Sequence, residues 1–158
     1  MKNPPTMVST KNALSLSLFF LIVAATAYSG TQFQPGEWYG TLEKPSWNPP
    51  NWVFGPVWTV LYIMIAVAGW LIWKTRPSLR QPALLLWIGQ LILNGLWSAV
   101  FFGLQMPLAA LLVVGALLAL IVAFLLTTPS RGARFLFLPY GLWVAFATAL
   151  NAAIVWLN

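Results

Sequence analysis

With 158 residues, 60% of them hydrophobic and 6% charged, and a mean hydropathy of +0.82, this chain cannot present a wetted surface, because a soluble domain carries about 25% charged residues. Eight Lys and Arg stand against two acids, and there is no His and no Cys. That inventory excludes disulfides, thiolate chemistry, most metal sites and the familiar nucleophile–base triads.

The first apolar run, 12–31, has a basic flank (Lys2, Lys11), an apolar centre and an Ala25-Thr26-Ala27 triplet. Those are the marks of a secretory signal peptide with a small-residue cleavage site. They fit equally a mildly polar first membrane helix, and the residues leave both readings open. Segment 32–51 follows, dense in Trp and Pro: Trp38, Trp47, Pro45, Pro49 and Pro50, with Glu37, Glu43 and Lys44 as its charges. Proline fixes its own φ and pushes the preceding residue toward extended geometry, so Lys44-Pro45 and Asn48-Pro49-Pro50 predict a stiff, non-helical loop. A rigid aromatic loop ahead of a long uncharged helix has the character of a lid.

Four charge-free runs come next. Runs 52–73, 82–103 and 107–128 hold 22 residues each, and 135–157 holds 23. At 1.5 Å per residue, 22 residues reach about 33 Å, enough for a hydrocarbon core of ~30 Å. The connections between them are short (74–81, 104–106, 129–134), which predicts neighbouring helices that are antiparallel and adjacent. With five helices and the N-terminus inside, the inner side holds Lys2, Lys11, Lys74, Arg76, Arg80, Arg131 and Arg134, and the outer side Lys44 alone. That asymmetry predicts the N-terminus inside and the C-terminus outside. The net charge of +6 is thus an orientation device, and no nucleic acid is needed to explain it. The cationic clusters are shorter than the usual polybasic lipid-binding run.

Polar stripes run through three spans. Gln90, Asn94 and Ser98 share one face of the third helix, with Trp97 beside Asn94, because residues three and four apart are neighbours. Trp143, Ala147 and Asn151 share a face of the fifth, flanked by Phe146 and Leu150, and Trp58 and Tyr62 pair on the second. Such residues serve as interhelical glue and interfacial belts in most membrane proteins. Trp52, Trp70, Trp73, Trp87 and Trp156 sit near span ends and fit the belt reading, whereas Trp58, Trp97 and Trp143 lie deeper. With Asn94 these three have the make-up of an apolar small-molecule pocket carrying one or two polar points. Rows of small residues at Gly95, Ala99, Gly103 and at Gly115, Ala119, Ala123 would allow close helix approach, within the bundle or between copies.

The stretch WYxxLxKPxWxPPxWVFGPVWTxLY (Trp38 to Tyr62), with QLxLNxLWSxVFFG (Gln90 to Gly103) and LPYxLWxxFAxxLN (Leu138 to Asn151), resembles the signature of the tryptophan-rich sensory protein/translocator protein family. The resemblance implies an all-α membrane protein: a single bundle of five transmembrane helices over 1–158, with 12–31 as a retained helix and 32–51 as a lid. It implies a cavity that binds porphyrins such as protoporphyrin IX, or related apolar molecules, with no separate cofactor and no metal. The positions matching the family's cavity are Tyr39, Trp47, Trp58, Tyr62, Asn94, Trp97, Trp143, Phe146, Ala147 and Leu150. Lys44 and Asn94 are the expected partners of the propionates. A homodimer embedded in membrane lipid is also implied. Two functions fit the resemblance: a receptor or transporter-like sensor regulating tetrapyrrole levels or a stress response, or an enzyme degrading protoporphyrin in light with Trp58 and Trp143 as its reactive pair. An ion-coupled transporter is disfavoured, since no ionisable residue sits within a span. The C-terminal LNAAIVWLN (Leu150 to Asn158) lacks the Tyr and cation of the animal sterol motif, which lowers the expectation of specific cholesterol handling.

Overall fold

In hydrocarbon a backbone polar group finds partners only within its own helix or against other protein, and each apolar run of this chain is helical. The computed structural model describes residues 7–75 and 78–158. The long helices are α1 (Met7–Thr31), α3 (Asn51–Thr75), α4 (Pro82–Ser98), α5 (Pro107–Thr127) and α6 (Arg131–Leu157). A short α2 (Glu37–Thr41) lies in the loop after α1, and α4 ends in a π-helical turn, Ala99–Gly103. All five long helices have the length and composition to cross a membrane.

The charge-free windows underestimated three helices, α3 among them, which runs on through Lys74 to Thr75. α1 begins before Lys11, and α6 begins at Arg131, where the Ser130 hydroxyl caps it by accepting the Ala133 N–H at 3.2 Å. A cation near a helix end keeps its head in water while its stem lies along the helix, so it does not stop the helix. Lys2 and Arg76, both counted among the inner cations, lie outside the described residues. The described cations Lys11, Lys74, Arg80, Arg131 and Arg134 gather at one end of the bundle, where α1, α4 and α6 begin and α3 and α5 finish. Lys44, Glu37 and Glu43 belong to the opposite end.

The helices form a ring in the order α1, α3, α6, α5, α4 and back to α1. Consecutive long helices touch, as the short connections lead one to expect, but α3 and α4 do so sparsely, because α1 packs against both and they face each other across the interior. They meet chiefly at two points. One is polar, where the Tyr62 hydroxyl donates to Asn94 Oδ1 at 2.9 Å. The other is Gly69, against which the Trp87 ring lies so closely that a Cβ there would collide with it. Trp87 is 1% exposed and donates its indole N–H to the Ile65 carbonyl at 2.9 Å. The interfacial-belt reading of Trp87 is therefore corrected: an indole whose N–H finds a backbone partner can be buried at any depth. Trp156 and Trp52 are well exposed, as a belt requires.

The core divides in two. A larger cluster around Ile65, Trp87, Phe124, Phe137 and Tyr140 fills the cation-bearing half. A smaller one, with Tyr39, Phe101, Ala110, Leu150 and Ile154, lies under the loop. Between them the interior is not filled.

Candidate functional site

The unfilled space is a cavity of about 750 Å³ bordered mainly by α3, α4 and α6, with the end of α1 (Ala27, Gly30, Thr31) and Val114 and Leu117 of α5 also in its wall, and roofed by the loop that follows α1. Tyr39 contributes from the roof, Trp58 and Tyr62 from α3, Asn94 and Trp97 from α4, and Trp143, Ala147 and Leu150 from α6. The two remaining expected positions stand behind this wall. Trp47 packs edge-on against Phe146 at 5.6 Å, Phe146 lies 5.5 Å from Trp143, and Phe54 meets the other side of Trp143 at 5.8 Å. Trp47 and Phe146 thus support the lining aromatic rather than form the lining.

Below, the cavity rests on a directional hydrogen-bond chain. Tyr62 donates to Asn94 Oδ1, Asn94 Nδ2 donates to the Tyr140 hydroxyl at 3.1 Å, and Tyr140 donates to Gln90 Oε1 at 2.7 Å. Gln90 closes the chain through Nε2 to the Trp87 carbonyl at 3.0 Å. Buried polar groups must be paired, and here each is, so the chain fixes three helices at a single depth. Tyr62 and Asn94 keep one acceptor lone pair and one N–H, respectively, to offer toward the cavity. A second polar tie sits higher: Trp97 donates to Asn151 Oδ1 at 3.1 Å, and Asn151 Nδ2 donates to the Pro107 carbonyl at 2.9 Å.

The roof is built by aromatic packing. The π turn presents Phe101 and Phe102 to the loop; Trp38 and Tyr39 pack edge-on against Phe101 at 5.7 and 6.2 Å, and Tyr39 meets Phe102 at 5.5 Å. A π turn adds a residue to the helical repeat and so re-aims the side chains that follow it. Phe33 lies over Gly103, where a Cβ would come within 2.7 Å of the ring. Burial pushes the Tyr39 phenol above its ordinary range, opposed by a long 3.5 Å hydrogen bond to Asn48, so it stays neutral at physiological pH. The far margin of the loop is held by Asn158. Its Oδ1 accepts the Glu43 N–H and its Nδ2 donates to the Glu43 carbonyl, both at 3.0 Å.

No described lining residue is charged. Lys44, expected at the mouth, turns its ammonium onto the Leu42 carbonyl at 2.9 Å and over the Tyr39 ring at 4.5 Å. It is not among the lining residues. Sequence reasoning missed Tyr140, Phe54, Phe101 and Phe102. Tyr140 carried a signal, since 140, 144, 147 and 151 repeat at helical spacing along one face of α6. The phenylalanines of the π turn carried none, because nothing in AVFFG announces the extra residue.

Compared with known proteins, the chain matches the TspO/MBR family over residues 14–157. It is 41% identical over 160 residues to tryptophan-rich protein TspO of Chlorobaculum tepidum, covering 94% of this chain and 98% of that one. It is 41% identical over 146 residues to the human translocator protein, covering 86% and 85%, respectively. With the tryptophan-rich sensory protein of Cereibacter sphaeroides it shares 38% over 145 residues, covering 89% of each.

Proposed function

The chain belongs to the TspO/MBR family, and from that premise we propose that it is a membrane receptor or sensor that takes protoporphyrin IX, or a related flat apolar molecule, into the cavity beneath its loop. The observation that supports this most is the lining: Trp58, Trp97 and Trp143 around one space, with Asn94 and Tyr62 as its polar points. Its volume of about 750 Å³ falls within the roughly 300–1,000 Å³ of small-molecule sites. Indole faces and edges suit a wide aromatic disc. With Lys44 turned away, the propionates take the donors that remain, the free Asn94 N–H or water at the roof. Titrating the purified protein with protoporphyrin IX tests the proposal: quenching of tryptophan fluorescence should saturate with a Kd near the micromolar range, equivalent to about −8 kcal/mol. An unsaturable, linear decline in fluorescence would leave the proposal without support.

Light-dependent porphyrin degradation is the second reading, and it is favoured by one observation. Trp58 and Trp143, the two indoles it requires, both line the cavity. More than one porphyrin lost per protein under illumination would establish the enzyme; loss that stops at one or fewer leaves a receptor.

The proposed orientation places the cation-bearing end inside, with Asn158 outside. Reporters fused after Asn158 and between Ser78 and Arg80 should read opposite sides of the membrane, and identical readings would refute the arrangement. The proposed homodimer is tested first at α5, where Gly115 meets nothing of its own chain within 4 Å; on α4, Gly103 faces Phe33 and Gly95 faces Ser29, while Gly95 and Ala99 still border an open groove between α1 and α4. Light scattering of Gly115→Leu in detergent should show monomer where the wild type shows dimer; an unchanged mass would exclude α5.

A further inference from the structure

The direction of the hydrogen-bond chain beneath the cavity is decided at its far end, away from the ligand space. An Asn or Gln amide keeps its shape when turned end for end, and a hydroxyl proton rotates, so only a fixed partner sets them. That partner is the Trp87 carbonyl, which can only accept. Gln90 must turn Nε2 to it, at 3.0 Å, and Oε1 away. Tyr140 meets Oε1 at 2.7 Å and must donate. With its one proton committed, the Tyr140 oxygen accepts, so Asn94 faces it with Nδ2 at 3.1 Å and turns Oδ1 toward Tyr62. Tyr62 in turn must donate, at 2.9 Å. Reversed, the chain would set Gln90 Oε1 against the Trp87 carbonyl, two acceptors in contact. Gln90 and Tyr140 are fully buried, so no water relieves such a mismatch.

The consequence appears at the cavity. Tyr62 and Asn94 line it, whereas Gln90 and Tyr140 do not. A hydroxyl facing a ligand ordinarily donates or accepts as required. The Tyr62 proton is already held by Asn94, so its oxygen offers only lone pairs, and beside it Asn94 keeps one free N–H.

We propose that Gln90 and Tyr140 are positioning residues that set the hydrogen-bond specificity of the cavity. Acting through Asn94, they hold Tyr62 as an acceptor. The cavity then favours a flat apolar ligand with a lactam or other secondary-amide edge, its N–H on Tyr62 and its carbonyl on the free Asn94 N–H. An N-alkylated edge keeps the second contact and loses the first. The inference rests on the cavity being a ligand site, and it deepens that reading by naming the edge the ligand presents.

Phenanthridinone and N-methylphenanthridinone, flat aromatic lactams that differ only at this N–H, test it. Each is titrated into the purified full chain by tryptophan fluorescence, with empty micelles as the blank. The wild type should bind the N–H compound roughly five- to tenfold more tightly than the N-methyl one. Tyr62→Phe removes the acceptor and should abolish that preference. Gln90→Met and Tyr140→Phe change no lining residue, yet both should abolish it too, because Asn94 is then free to turn end for end and Tyr62 to swing its proton toward the ligand. Only the ratio of the two affinities is scored, in folded, monodisperse protein, so a general loosening that weakens both ligands alike leaves it unchanged. The proposal is overturned if the preference survives in Tyr62→Phe, which would trace it to the bulk of the methyl group. It is equally overturned if the preference survives in both Gln90→Met and Tyr140→Phe, which would mean that Tyr62 is oriented locally. Wild-type protein that saturates with protoporphyrin IX but binds the two lactams equally refutes the relay alone. A lactam preference without porphyrin saturation upholds the relay and refutes the porphyrin.

Discussion

Replacing Trp143 with alanine is expected to weaken protoporphyrin binding by about 1–3 kcal/mol, roughly 5- to 150-fold in Kd, since one aromatic wall of the cavity is lost and lipid or water takes its place. The ring also holds its neighbours: Phe54 packs against it at 5.8 Å and Phe146 at 5.5 Å. Its loss therefore loosens the wall as well as removing a contact. Ala147→Phe should weaken binding by the opposite route, placing a ring in the space while leaving the fold intact, because Ala147 borders a void and not a packed core. Trp156, 89% exposed near the far end of the same helix, is the control, and Trp156→Ala should bind as the wild type does. Equal affinities for Trp143→Ala and Trp156→Ala in folded, monodisperse protein would place the ligand elsewhere.

The largest expected effect on stability is at Gly69. An alanine Cβ there would collide with Trp87 Cε2 and stand 2.7 Å from its Nε1, and the ring is further confined by Phe19, edge-on at 5.1 Å. Something must move, and moving the indole breaks its hydrogen bond to the Ile65 carbonyl. Overpacking costs about 1–3 kcal/mol and the lost bond about 1 kcal/mol more. Gly115→Ala, with nothing of its own chain within 4 Å of the new methyl, should cost nothing in packing and gain about 0.5–1 kcal/mol from the lower backbone entropy of alanine in a helix. Unfolding by denaturing detergent, followed by near-ultraviolet circular dichroism, compares the two. Identical midpoints would show that the α3–α4 crossing yields freely.

The five spans were legible because hydrocarbon imposes a length and forbids charge, and both are properties of single residues. Their ends were less legible: Lys11 and Arg131 sit inside helices that a charge-free window truncates. The site was half legible. Helical spacing put Asn94 beside Trp97 and Trp143 in line with Ala147, but which stripes face one another depends on the order of helices around the ring. In that order, α1 packs against both α3 and α4 and leaves a space between them. Trp87 was misjudged because its place near the end of a run suggests an interface, while its burial depends on Gly69 in another helix. Nothing local links those two residues. Lys44 was expected to meet a ligand and instead meets Tyr39, a contact set by the fold of the loop itself.

The Asn158 clamp on Glu43 gives the roof a measurable clock. Glu43 sits in an exposed, irregular stretch whose amides should trade hydrogen for deuterium within moments, yet its own N–H is held by Asn158 at 3.0 Å. Exchange at that single amide requires the margin of the roof to lift from α6, so its rate counts openings whether or not a ligand passes through. In Asn158→Ala the Glu43 amide should exchange as fast as its neighbours. If it already does so in the wild type, the roof lifts too readily for the clamp to govern it.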